Sequence, residues 1–177
     1  MSEVYLGNPN LKKANTAIEF TEENIIEFLR CKEDPVYFAN NYIKIVSLDE
    51  GLTQFHPYHF QEKLINNFHE NRFNICKMPR QTGKSTTVVS YLLHYAVFND
   101  SVNIGILASK AATARELLGR LQTAYENLPK WMQQGIISWN KGSLELENGS
   151  KILAASTSAS AVRGMSFNIL FLDEFAF

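Results

Sequence analysis

Two clusters in this chain are suited to chemistry on a phosphate: Gly83-Lys84-Ser85-Thr86 and Asp173-Glu174. A loop that grips phosphates needs consecutive backbone N–H groups turned toward the anion and a glycine where a side chain would collide with it. It also needs a lysine for the charge on the outer phosphates and a hydroxyl for Mg²⁺. The stretch "MPRQTGKST", residues 78–86, supplies all of this except the first glycine, whose place is held by Met78. Read by itself, Gly-Lys-Ser is equally a chance loop tripeptide. The second cluster decides between the two. A hydrolytic site of this kind needs a carboxylate at the end of a neighbouring buried strand for the Mg²⁺ shell, and a second beside it to orient the attacking water. "ILFLDE" is four apolar residues followed by Asp173 and Glu174, as that geometry requires.

Further candidates flank the two clusters. In "FHPYHFQ", residues 55–61, the Gln61 amide has the donor and acceptor for an adenine edge, and Phe60 has a ring to cover its face. The alternative is a solvated glutamine and a core phenylalanine at a helix start. His56 and His59 have metal-ligand spacing but no third ligand nearby, which favours ordinary histidines. Arg163, in "SAVRG", is either a surface residue or a finger for charge developing on a terminal phosphate. Arg80, inside the loop, could share that task or hold the loop's shape.

These side chains need a scaffold. "FNICKM" before the loop predicts a strand over 73–78, and "STTVVSYLLHYAVF" after it predicts a helix over 84–98. Around them run a helix over 57–70, a strand over 102–108 and a helix over 111–127, the alternation of a parallel α/β sheet. Asn148-Gly149 between two alternating runs predicts a β-hairpin excursion, and "NILFLD" a final buried strand. Upstream, Thr21 caps a short helix, Asp34-Pro35 opens a second through Tyr42, and "IKIV" is a short strand. Residues 1–20 show no period and read as an extended or mobile arm. The expected organisation is an arm and small helical subdomain over 1–50 and a nucleotide-binding core over 51–177.

The totals exclude several classes. With 17 Lys+Arg against 18 Asp+Glu, the net charge of −1 does not hold nucleic acid by bulk attraction, so any DNA contact is local. Two cysteines far apart form neither a disulfide framework nor a zinc site. No apolar run reaches the ~18 residues of a membrane span and no signal peptide is present, so a soluble, intracellular protein is expected.

Taken in order and spacing, "FHPYHFQ", "MPRQTGKST", "LPKWMQQGIISWNKGSLELENGS", "SAVRG" and "LFLDEFAF" resemble the ATPase half of the large terminase subunit of tailed bacteriophages, T-even-like phages above all. The resemblance covers about residues 35–177 and accounts for Met78, because that family's loop dispenses with the first glycine. It implies a P-loop NTPase of the additional-strand catalytic-glutamate type, with a mainly parallel sheet, that binds ATP and Mg²⁺. It implies that Gln61 contacts adenine beside Phe60. The loop residues Arg80, Gln81, Thr82, Gly83, Lys84, Ser85 and Thr86 hold the phosphates, and Ser85 and Asp173 the Mg²⁺. It implies that Glu174 is the catalytic glutamate and Arg163 the arginine finger, with Arg80 kept as a catalytic candidate from its place in the loop. It implies hydrolysis coupled to moving double-stranded DNA into a procapsid, with the portal protein and small terminase subunit as partners. It further implies a ring of full-length copies in the host cytoplasm, transiently at the procapsid portal. Helicases and restriction-type translocases share both clusters, and a nucleotide-binding or assembly module without turnover is the non-enzymatic alternative. The family continues into a nuclease domain; this sequence stops three residues after Glu174 and is expected to be a fragment.

Overall fold

Local chemistry sets the first two helices. Helix α1 (Glu22–Glu33) starts at Thr21, whose Oγ accepts from the Asn24 N–H at 3.2 Å while Asn24 Oδ1 accepts from the Thr21 N–H at 3.4 Å. This is a reciprocal capping box with asparagine in the third position. Helix α2 (Pro35–Tyr42) starts at Asp34, whose carboxylate accepts from Val36 and Tyr37 at 2.9 and 2.8 Å, with Pro35 pre-set at the first helical position. The computed structural model describes residues 3–47, 49–158 and 164–174.

Strands β1 (Lys44–Ser47) and β2 (Gly51–Gln54) then pair as an antiparallel ribbon. Helices α3 (His59–Glu70) and α4 (Lys84–Phe98) follow, then β3 (Asn103–Ala108) and α5 (Ala111–Glu126). Strands β4 (Ile136–Trp139), β5 (Ser143–Leu146), β6 (Lys151–Ser156) and β7 (Ile169–Asp173) complete the order. The main sheet runs β4-β5-β6-β3-β7. Its central β3 is parallel to β6 and β7, whereas β5 is antiparallel to both neighbours. The sheet is therefore mixed rather than mainly parallel. The physical reason is the turn at Asn148-Gly149, where Gly149 adopts φ 81° and folds β6 back on β5. That turn is anchored by the Asn148 side-chain amide, which donates to the carbonyls of Ala96 and Asn99 at the end of α4.

The parallel register aligns Ala108 with both Ser156 and Asp173, bringing the carboxyl ends of β3, β6 and β7 to one edge. Helix α4 is buried along most of its length because α2, α3 and α5 all pack on it. Phe28 of α1 and Phe38 of α2 reach the same core. The N-terminal arm is extended but docked. Its backbone exchanges hydrogen bonds with Ile136, Leu11 is buried, and Lys12 pairs with Glu147 at 2.8 Å. Burial pushes the Glu147 carboxyl up, but hydrogen bonds from Lys12 and the backbone of Asn15 and Gly135 outweigh it and hold the group below the ordinary range.

One expected element is missing. Residues 73–78 are not a strand, and Phe73 and Ile75 are 83% and 100% exposed. Strandness depends on a hydrogen-bonded neighbour, and β7, the sheet edge on that side of β3, has no further strand beside it among the described residues.

Candidate functional site

Gly83 creates the turn into α4. Its φ of 74° is open to glycine at little cost, and Gln81 before it also lies in the left-handed region at 61°. The first bond of the helix runs from the Thr87 N–H to the Gly83 carbonyl at 3.0 Å. The N–H groups of Lys84, Ser85 and Thr86 thus precede the helical ladder and point out of its positive end. Thr82 Oγ1 donates to the Pro79 carbonyl at 3.0 Å, closing the loop on itself.

Gln61 lies between the start of α3 and the loop. It is 2% exposed, so it is not a solvated glutamine. Its Oε1 accepts from the Tyr58 N–H at 2.9 Å and its Nε2 donates to the Thr82 carbonyl at 3.3 Å, bracing the start of α3 against the loop. A Cβ on Gly83 would collide with that Nε2, so the glycine serves close approach as well as dihedral freedom. Phe60 is not a core residue either: it is exposed and stacks on the Tyr58 ring, centroids 5.9 Å apart.

Met78 through Thr86, Arg120, Asp173 and Glu174 line one cavity of about 540 Å³. The two clusters, far apart in sequence, meet there. Asp173 is 7% exposed, its Oδ1 has no hydrogen-bond partner among the described residues, and Lys84 Nζ lies 3.8 Å from it. A buried carboxylate oxygen without a donor is costly unless a cation or donor completes it. The next residue, Glu174, adopts φ 50°, unusual for a side chain with a Cβ, and is exposed toward the cavity. Arg80 and Gln81 line the cavity and are exposed. Cys76, just upstream, has its thiol pushed up by burial while the nearby Lys84 charge pulls it down.

Two arginines complete the comparison with the sequence reading. Arg163 lies outside the described residues. Arg120, which sequence reasoning missed, enters the cavity from α5, where Glu116 Oε1 accepts from its guanidinium at 2.7 Å. An i,i+4 Glu–Arg pair reads as an ordinary solvated helix face, so no sequence signal singled it out.

The fold is shared with a known structure. The chain superposes on the crystal structure of the HK97 bacteriophage large terminase with a TM-score of 0.64 at 19% identity, covering 80% of this chain and 30% of that one. It thus spans less than a third of the HK97 protein. Residues 75–177 match the family described as "Terminase large subunit, T4likevirus-type, N-terminal". That match takes in the Gly-Lys-Ser loop, Arg120 and the acid pair, and with more than half of the sequence inside it the chain belongs to the N-terminal part of the T4-like terminase large subunits.

Proposed function

We propose that this chain carries the ATP-hydrolysing site of a DNA-packaging motor. The observation that carries the reading is the meeting of Lys84, Asp173 and Glu174 in one cavity at the positive end of α4. In this reading the N–H groups of Gly83 to Thr86 cradle the phosphates, and Lys84 neutralises the outer ones. Arg80, Gln81 and Thr82 shape the loop around them. Ser85 and Asp173 Oδ1, which has no hydrogen-bond donor among the described residues, suit a hard cation, and they are the residues that would hold Mg²⁺. When bound there, Mg²⁺ supplies positive charge to the terminal phosphates. Glu174 orients and deprotonates the attacking water, while Arg163, or Arg80 from the loop, counters the charge that develops. In this reading Phe60 and Gln61 serve the base. Contact between Gln61 and adenine would be relayed to the loop through its bond to Thr82.

In the assembled motor, a ring of full-length subunits at the procapsid portal in the host cytoplasm, with the small terminase subunit, turns hydrolysis into movement of double-stranded DNA. One observation favours binding without turnover for the chain by itself: residues 73–78, which lead into the loop, have no sheet partner to hold it rigid. Titration calorimetry with ATP·Mg²⁺ tests the site. Lys84→Ala is expected to weaken binding on the order of 10–100-fold, the loss of one charge-assisted phosphate contact. Equal affinity in the variant would refute the assignment. Measurable phosphate release that stops in Glu174→Gln would decide against the binding-only reading.

A further inference from the structure

We infer that Arg120 is a switchable contact to the terminal phosphate, held in reserve by Glu116, and that it makes the site discriminate a nucleoside triphosphate from a diphosphate. The inference rests on the nucleotide-site reading above. Three observations lead to it.

First, Arg120 lines the cavity although it comes from neither the loop nor β7. It is the only cation of the described lining that lies outside the loop, joining Arg80 and Lys84. Without it, two cationic side chains face two carboxylates, Asp173 and Glu174, and the lining is balanced. With it the cavity carries one excess positive charge. Each added phosphate brings negative charge to the pocket, so that excess favours the more highly phosphorylated ligand.

Second, the present partner of Arg120 is weak. Both side chains of the Glu116–Arg120 pair are largely exposed, 64% and 51%, and the pair lies along one helix. Such i,i+4 pairs shift an equilibrium only about twofold. A guanidinium–phosphate contact is stronger, charge-assisted and able to use two N–H groups at once. An anion in the cavity therefore outcompetes Glu116 for the same group. Third, Arg120 sits midway along α5, which packs on α4, β3 and β6. The guanidinium swings on a flexible stem from a fixed helix, so the exchange requires a change of rotamer and no movement of the fold.

The experiment is calorimetry of ATP·Mg²⁺ and ADP·Mg²⁺ on the full 177-residue chain, wild type against Arg120→Ala, Arg120→Lys and Glu116→Gln. Arg120→Ala is expected to weaken ATP about tenfold and ADP less than about twofold, with Arg120→Lys recovering part of the difference. Glu116→Gln, which releases the arginine, is expected to raise ATP affinity about twofold, the size of the pair it breaks. Both positions are exposed, so thermal melting should be unchanged and a binding loss cannot be ascribed to unfolding. An ATP-to-ADP affinity ratio that stays the same in Arg120→Ala, in a chain that binds both nucleotides, overturns the inference and leaves the nucleotide site standing. A wild-type chain that binds neither nucleotide overturns the underlying reading as well.

Discussion

At its C-terminal end, α4 is locked among aromatic rings: Phe98 meets Phe28 at 4.8 Å and Phe38 at 5.3 Å, and His94 meets both Phe38 and Phe98. At its N-terminal end the same helix opens on a cavity, behind a loop preceded by residues 73–78, which join no strand among the described residues and expose Phe73 and Ile75. The difference shows how one element serves two purposes. Packing in the interior fixes the helix axis, and the free N–H groups of its first turn are left in position for a ligand. A site of this kind keeps its polar groups incompletely satisfied, as Asp173 Oδ1 is, and the stability needed to hold them there comes from the far end.

Three measurements break or sharpen this contrast. The largest effect is expected at the locked end. Phe38 is fully buried, and Phe38→Ala should cost about 3–5 kcal/mol in urea unfolding, the usual penalty for emptying an aromatic core position. A cost below about 1 kcal/mol would mean that α2 and α4 are not held by this cluster.

The next effect is a pH dependence. His94 Nε2 lies 2.8 Å from the Cys31 carbonyl, its Nδ1 has no hydrogen-bond partner among the described residues, and burial pulls its pKa down to about 4. The hydrogen bond to Cys31 opposes that shift and the neighbouring His69 reinforces it. Because the folded pKa lies below the unfolded one, the fold binds the neutral ring, and its full stability is present above pH ~6.5. Stability should then fall as the pH drops from about 6.5 toward 4, by up to about 3 kcal/mol. His94→Phe should flatten that slope even though it sacrifices the bond to Cys31. A slope that survives in the variant would assign the acid sensitivity of this range to other groups; Glu147, with its depressed carboxyl, contributes only toward the acid end of the range and below it.

The smallest effect is expected at the open end. Ile75 is fully exposed, so Ile75→Ser should change the unfolding free energy by no more than about 0.5 kcal/mol. A cost of about 2 kcal/mol or more would show that this segment is buried in solution, against some surface of the same or another chain. The two ends of α4 would then be less different than their exposure indicates.

How much was legible follows the range of the forces involved. Thr21, Asp34-Pro35 and Asn148-Gly149 act on backbone groups within a few residues, and they marked two helix starts and a hairpin correctly. Apolar runs likewise identified β3 and β7. The Gly-Lys-Ser loop and the acid pair were recognisable because each is a contiguous motif with its own chemical requirements. Residues 73–78 misled because a strand is completed by a partner, and apolar composition carries no information on whether one stands alongside.

The sequence by itself determined the chemical inventory of the site: the glycine that admits a left-handed turn, the lysine and hydroxyls after it, and two acids at the end of a buried run. Only the tertiary structure decided which other groups join them. Gln61 became a brace because Gly83, lacking a Cβ, lets its amide approach Thr82, and Arg120 entered the cavity because α5 packs between α4 and the sheet. Both depend on the distance between elements remote in the chain, which is set by the packing of the core and by no local pattern.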